Sequence, residues 1–201
     1  MFNLIEKLSN NFVGTNQNKT QIILTHTSRD DEEYLTSLKY RMNGKFPRIP
    51  HYVVAKDGSV IQTLSEEQYS DFFYYSQINE QSIIVSLENL GWLEKVPLKD
   101  QYTNWIGNIY KGAPYEKKWR DYFLWEPYTE AQMLSTAELC IKIVNKHNIE
   151  KKSVGHNTLI NGIENHGGIV SRSNYNDDFT DVSPAFNFDR FVNYIKNEQF
   201  V

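Results

Sequence analysis

The pattern of apolar and polar residues divides most of the chain into short strands and helices. Apolar runs at residues 21–26 and 82–88 predict strands, and the second is apolar enough for the centre of a sheet. Two β-branched runs within residues 51–64 flank an Asp-Gly turn signal, which predicts a hairpin. Helical spacing predicts helices over residues 30–42, 129–144 and from about Asn187, and a short amphipathic helix over residues 2–12.

Strands and helices alternate along the chain, which predicts an α/β fold with a central mixed sheet flanked by helices. No repeat or Pro/Gly/Ser-rich linker divides the sequence, so we expect a single domain over residues 1–201. Within it, residues 1–19 are an expected N-terminal extension and residues 20–197, approximately, are the core. Residues 90–127 hold all four tryptophans but show little periodicity, so the pattern assigns no elements there.

Composition narrows the possible functions. A net charge of -4 without a basic stripe argues against a general nucleic-acid binder. The single cysteine, Cys140, rules out an intrachain disulfide and a multi-cysteine metal site. Glu6 and Lys7 interrupt the apolar core that a Sec signal needs, and no apolar run is long enough for a membrane span. We therefore expect synthesis in the cytoplasm, no membrane insertion and no obligatory protein partner.

Two histidines stand at positions where catalytic chemistry often collects. His26 ends the run "IILTH", and His156 ends "KSVGH", in which Gly155 allows a close backbone approach. Ligands bind at the strand ends along one edge of an α/β sheet. Two imidazoles and one carboxylate form an established zinc-ligand set, but spacing alone leaves the carboxylate open.

Five motifs, in this order, resemble a known family. They are the strand ending in His26, the hairpin "HYVVAKDGSVIQ", the strand "SIIVSLEN", the pair Gly155-His156, and Asp181 followed by Pro184, Ala185 and Phe186. Over about residues 20–197 the chain resembles the zinc-dependent N-acetylmuramoyl-L-alanine amidases of type 2. That family shares its fold with the peptidoglycan recognition proteins and small phage endolysins.

The resemblance implies that His26, His156 and Asp181 bind Zn²⁺. The ion would lower the pKa of a bound water to roughly 7 and so supply a hydroxide for amide hydrolysis. The implied reaction cleaves the bond between N-acetylmuramic acid and L-alanine in peptidoglycan or a muropeptide. Three settings stay open for such an enzyme: a bacteriolytic, cell-wall-degrading endolysin released by a holin, a cytoplasmic enzyme that recycles muropeptides, and an effector exported by another route. Two alternatives stay open: a non-catalytic peptidoglycan-binding module, and a zinc peptidase that cuts within the stem peptide.

The sequence also departs from the family pattern. The position of the usual catalytic glutamate holds Ser86, and the usual lysine two residues before Asp181 is Phe179. We therefore expect Glu88, on the same strand face as Ser86, to act as the acid/base, with Ser86 as an orienting hydroxyl and Thr180 as a hydrogen-bond donor.

Two further sets of residues are candidates for this site. The segment before Asp181 is unusually long, so the third ligand could instead be one of three residues: His166, Asp177 or Asp178. Sugar rings stack on aromatic side chains, which makes three tryptophans candidates for substrate binding: Trp92, Trp119 and Trp125.

Overall fold

A computed structural model describes residues 2–197 of the chain. It contains four α-helices: α1 (Asp31–Tyr40), α2 (Ser76–Gln81), α3 (Glu130–His147) and α4 (Phe188–Asn197). The strands, in chain order, are β1 (Leu4–Glu6), β2 (Gly14–Thr15), β3 (Gln21–His26), β4 (Tyr52–Val54), β5 (Val60–Gln62), β6 (Gln68–Tyr69), β7 (Ser82–Leu87), β8 (Trp92–Lys95), β9 (Tyr102–Thr103), β10 (Ile109–Tyr110), β11 (Tyr115–Trp119), β12 (Tyr122–Trp125) and β13 (Gly168–Ser171).

A six-stranded mixed sheet forms the centre of the molecule, in the order β1-β5-β4-β7-β3-β13. Strands β4, β7, β3 and β13 are parallel to one another, whereas β4 and β5 form the antiparallel hairpin around the Asp-Gly turn. The α/β prediction with a central mixed sheet flanked by helices is therefore confirmed.

The parallel register brings several strand ends to one edge of the sheet. Gln21 pairs with Ser82 and His26 with Leu87, while β13 runs beside β3 with Ser171 opposite Leu24. The chain segments that follow β3, β7 and β13 consequently leave the sheet side by side. This edge carries the candidate site.

The core lies on both faces of the sheet. One face packs under α3 and α4, where Phe191 and Ile195 are buried, as the spacing of the C-terminal helix predicts. Helix α3 begins as predicted, because the Thr129 side chain accepts a hydrogen bond from the backbone N–H of Gln132. Within residues 2–197, no helix combines the length and the apolar character that crossing a bilayer requires.

Two parts of the structure differ from the sequence-based expectation. The predicted helix over residues 2–12 is wrong: residues 4–6 form β1, which pairs in parallel with β5, and Ile5 packs on the core near α1. Pairing with an otherwise open sheet edge outweighs the weak helical periodicity of this segment. The unassigned residues 90–127 form a second, antiparallel sheet in the order β10-β9-β8-β12-β11.

Candidate functional site

A buried carboxylate lies beside the first predicted ligand at the sheet edge. Asp181 is only 3% exposed, and its Oδ2 accepts a hydrogen bond from the Thr25 hydroxyl, one residue before His26. Because Thr25 precedes His26 in β3, this bond places the Asp181 carboxylate at the strand end that carries His26, where each of the two groups shifts the pKa of the other. The structure therefore brings together two of the three predicted zinc ligands, from the first and last parts of the sequence.

The guanidinium of Arg172 is the third charged group of this site. Its Nη1 lies 3.3 Å from Asp181 Oδ2 and 3.5 Å from Oδ1. Arg172 directly follows β13, so its backbone emerges from the sheet next to Thr25. We call the four residues His26, Thr25, Arg172 and Asp181 the His26 cluster.

The electrostatics of the cluster favour an ionised carboxylate beside a neutral imidazole. Burial alone would raise the pKa of Asp181, but Arg172, His26 and the Thr25 hydroxyl together hold it below its ordinary value. Burial lowers the pKa of His26; Asp181 opposes this shift and Arg172 adds to it. With one carboxylate and one guanidinium, the cluster carries no net charge.

Both ring nitrogens of His26 have close protein neighbours. The Tyr128 hydroxyl lies 3.5 Å from Nδ1, and it accepts a hydrogen bond from the backbone N–H of Ser183. The backbone of Gly91 approaches the other side of the ring so closely that a Cβ atom there would lie 2.9 Å from Nε2. The ring is therefore enclosed by protein on two sides.

The second predicted ligand is not part of the His26 cluster. The His156 side chain is exposed, its Nδ1 lies 2.8 Å from the Thr158 hydroxyl, and it lines an open cavity with Lys117 and Asn187. Among residues 2–197, no three His, Cys, Asp or Glu side chains lie close enough to hold a metal ion together. The predicted triad of His26, His156 and Asp181 is thus not assembled.

The alternative third ligands lie elsewhere as well. The His166 carbonyl accepts from the Gln21 side chain at the start of β3, which is five residues or about 16 Å along the strand from His26. Asp177 and Asp178 are exposed, and Asp177 pairs with Arg120, whose Nη2 lies 3.5 Å from Oδ1. None of the three takes the place of Asp181 in the cluster.

The residues present do not fit a zinc ion. Zinc sites use at least three His, Cys, Asp or Glu ligands, and this cluster offers only His26 and Asp181. The carboxylate is already paired with Arg172, and a cation bonded to it would face the guanidinium, which repels it at short range. We therefore assign no chemistry here to a metal ion.

The predicted accessory residues have other surroundings. Glu88 accepts from the backbone N–H of Lys56 at 2.9 Å, and its Oε1 lies 3.4 Å from Lys56 Nζ, so its carboxylate is joined to the hairpin turn. Burial raises the pKa of Glu88, and these contacts with Lys56 oppose the shift. Ser86 is fully buried. Thr180 is partly exposed next to Asp181.

All three predicted sugar-stacking tryptophans lie in strands of the second sheet. Trp125 is fully buried, and its Nε1 donates to the Lys117 carbonyl at 2.8 Å, so no ring face is free for a sugar. Trp92 stacks on Tyr122 with the ring centroids 4.4 Å apart. Trp119 carries the Arg120 guanidinium 4.4 Å from its ring centroid. Trp92 and Trp119 are both partly exposed, so a sugar could stack only on the ring face that Tyr122 or Arg120 does not cover.

Sequence reasoning missed Arg172. Two runs in the last quarter of the chain have the pattern of a strand end: "KSVGH", which contains the predicted ligand His156, and "GIVSR", which ends in Arg172. The structure pairs the second run with β3, and Ser153 of the first only bridges to Ile169. The two adjacent β-branched residues of "GIVSR", Ile169 and Val170, are the signal that could have identified the paired strand.

Comparison with known proteins adds a family assignment to this geometry. A family profile described as N-acetylmuramoyl-L-alanine amidase matches residues 15–173. The matched segment includes His26 and ends one residue after Arg172. No curated protein sequence matches the chain.

Solved structures of similar fold come from several sources. N-acetylmuramoyl-L-alanine amidase LysC from Clostridium intestinale URNW is 14% identical, with a TM-score of 0.57 and 100% coverage of both chains. The Staphylococcus aureus hydrolase AmiA is 13% identical, with a TM-score of 0.58 over 97% of this chain and 82% of its own. The drosophila peptidoglycan recognition protein SD is 11% identical, with a TM-score of 0.51 over 93% and 92%. At these identities the likeness shows the fold alone.

Proposed function

The chain belongs to the N-acetylmuramoyl-L-alanine amidase family. We propose that it hydrolyses the amide bond between N-acetylmuramic acid and L-alanine and that the residues described above form its active site. The reaction class is amide hydrolysis, and the substrate is peptidoglycan or a muropeptide derived from it. We place the reaction at the His26 cluster. The observation that carries this placement is the buried Asp181 carboxylate, bonded to Thr25 next to the half-buried His26, at the edge where three parallel strands end.

The side chains of the cluster can contribute to amide hydrolysis in distinct ways. A neutral imidazole such as that of His26 can accept a proton from an attacking water. The Arg172 guanidinium is a fixed positive charge, and a charge of this kind stabilises the oxygen of an amide carbonyl as it becomes negative. Asp181 and Thr25 hold the guanidinium and its loop in position.

A second function is favoured by one specific observation. The guanidinium of Arg172 is paired with Asp181, and Ser86 stands where the family resemblance puts a catalytic glutamate. A site with these substitutions can hold a muramoyl peptide without cleaving it. The second candidate is therefore a peptidoglycan-binding module of the same fold that binds its ligand at the same cluster.

One experiment separates the two functions. The full chain is incubated with purified peptidoglycan, with and without a chelator, and the soluble products are analysed by mass spectrometry. Cleavage at the proposed bond releases stem peptides that begin with L-alanine, whereas a stem peptidase releases shorter peptides. Sedimentation of the protein with insoluble peptidoglycan measures binding independently. Binding without release of stem peptides establishes the second function, and the absence of both overturns the assignment to this substrate.

The place of action follows from the substrate. Peptidoglycan is extracellular, so we propose that the protein acts at the cell wall after release by a holin or another export route. Fractionation of cells that express the chain, followed by detection in the cytoplasm and the wall fraction, tests this proposal.

A further inference from the structure

Strand β13, which lies beside β3, is followed directly by an arginine, whereas the family resemblance takes its second histidine ligand from the end of another β-like run, "KSVGH". Strand β13 pairs with β3 from Gly168 opposite Gln21 to Ser171 opposite Leu24. Arg172 follows directly, so it is next in register to Thr25 and adjoins the strand end that carries His26. His156, the residue that resembles the second ligand in sequence, lies outside this register with an exposed side chain.

Arg172 is fixed in this position by contacts on several sides. Its guanidinium pairs with Asp181 on one side, and its Cζ lies 3.9 Å from the ring centroid of Phe179. The rings of Phe72 and Phe73 lie 5.7 and 5.8 Å away. A guanidinium over aromatic rings is attracted by their negative faces, and three rings restrict its direction. These contacts therefore hold the guanidinium in a fixed position within the site.

Phe179 fits the same arrangement. The family resemblance places a lysine at this position, two residues before the third ligand, and here an apolar ring stands there instead. That ring supports the guanidinium of Arg172, which reaches the same carboxylate from another strand. Residue 179 therefore supplies a supporting ring, and the positive charge beside Asp181 comes from residue 172.

Charge balance agrees with this exchange. Asp181 contributes one negative charge and Arg172 one positive charge, and His26 can remain neutral, so no metal ion is needed to compensate the buried carboxylate. A divalent cation at Asp181 would have to displace the guanidinium from its aromatic surroundings.

We propose that Arg172 replaces the second metal-ligating histidine of the family, and that its guanidinium supplies the positive charge that a zinc ion would otherwise supply. The wild-type chain accordingly binds no stoichiometric zinc at the His26 cluster. This inference rests on the geometry of the cluster and holds for either candidate function.

Metal content tests the proposal without any activity assay. The wild type, Arg172→His and Arg172→Gln are loaded with excess zinc, dialysed, and analysed by elemental mass spectrometry and calorimetry. We expect the wild type and Arg172→Gln to retain well under one zinc per chain. Arg172→His supplies a third ligand and should retain about one zinc per chain. Adding His26→Ala or Asp181→Ala to Arg172→His should remove that zinc.

Two results would overturn the proposal. One is a wild-type chain that holds one zinc and loses it on His26→Ala or His156→Ala. The other is a folded Arg172→His chain, checked by circular dichroism, that holds none. If Arg172→His does not fold, the thermal unfolding midpoint of the wild type is measured with and without added zinc. An unchanged midpoint supports the proposal, and a higher midpoint with zinc shows a native zinc site and overturns it. Because no substrate is used, failure here is separate from failure of the peptidoglycan assay.

Discussion

The guanidinium of Arg172 lies over the ring of Phe179, with the guanidinium carbon 3.9 Å from the ring centroid. A cation in this position is attracted by the ring with a free energy of about 0.5–2 kcal/mol, depending on its exposure to water. The same guanidinium lies 3.3 Å from Asp181, so the ring determines the direction from which the charge approaches the carboxylate. Side-chain contacts of Arg172 with Phe179 and Asp181 thus hold the two ends of segment 172–181 together.

The first prediction concerns the ring of Phe179. Phe179→Leu keeps an apolar side chain but loses the aromatic face, and we expect the free energy of unfolding to fall by about 1 kcal/mol. Urea denaturation measures the loss. Phe123→Leu is the matched control, because Phe123 is exposed and carries Lys118 5.6 Å from its ring centroid; its loss should stay below about 0.5 kcal/mol. Equal losses for the two variants would contradict the role given to Phe179.

The second prediction compares two glycines of similar backbone conformation. Gly91 has a φ of +80° and Gly107 a φ of +90°, so an alanine at either position is strained by about 1 kcal/mol. Only at position 91 does the added methyl group meet His26. We expect Gly91→Ala to move the His26 ring, seen as altered imidazole NMR resonances, and to be less stable than Gly107→Ala. Unchanged His26 resonances in Gly91→Ala would show that the ring is not enclosed as described.

The elements with a strong local signal could be predicted from the sequence. The Asp-Gly turn fixes the β4–β5 hairpin, the apolar run over residues 82–87 fixes the central strand, and Thr129 marks the start of α3. Residues 4–6 were wrongly predicted to be helical, because their strand conformation depends on pairing with residues of β5 that lie 56 positions further along the chain. Local periodicity contains no information about such a partner.

The same limit applies to the site. His26 and Asp181 were identified because each lies in a recognisable motif, and the structure brings them together. Arg172 was missed because the choice of the strand that lies beside β3 is a matter of tertiary pairing. His156 had the more familiar local sequence, but its segment makes only one bridge to β13, through Ser153. A motif shows which residue types are present, whereas the register determines which of them meet.

The third prediction concerns Glu88, the acid/base candidate from the sequence. Its carboxylate and that of Glu126 share Lys56, whose Nζ lies 3.4 Å from Glu88 and 2.8 Å from Glu126. If this ion pair is the role of Glu88, Glu88→Gln and Glu126→Gln should each lower the free energy of unfolding by about 1–2 kcal/mol. Peptide release from peptidoglycan should then fall by less than about tenfold in both. A loss of about 100-fold in Glu88→Gln alone, at unchanged stability, would restore the acid/base role.

The fourth prediction is a pH dependence of stability that originates in His51, away from the candidate site. The ring is 1% exposed; its Nδ1 accepts from the backbone N–H of Ile84 at 3.0 Å, and its Nε2 donates to the Gln68 carbonyl at 2.8 Å. The bond at Nδ1 requires the neutral ring, because a protonated Nδ1 cannot accept a hydrogen bond. Burial, helped by the charge of Lys19, lowers the pKa of His51 to about 3, whereas the unfolded chain has a histidine pKa of about 6.5.

The sign of the effect follows from proton binding. Between pH 6.5 and 3 the unfolded chain binds a proton at position 51 that the folded chain does not, so the free energy of unfolding falls as the pH falls. The expected slope from this group approaches about 1.4 kcal/mol per pH unit below pH 6. Urea denaturation at pH 7, 6 and 5 should therefore show a steeper loss in the wild type than in His51→Gln, which cannot titrate there. His156→Gln, a change at an exposed histidine, is the matched control and should keep the wild-type slope. Equal slopes in the wild type and His51→Gln would show that His51 is not the source of the pH dependence.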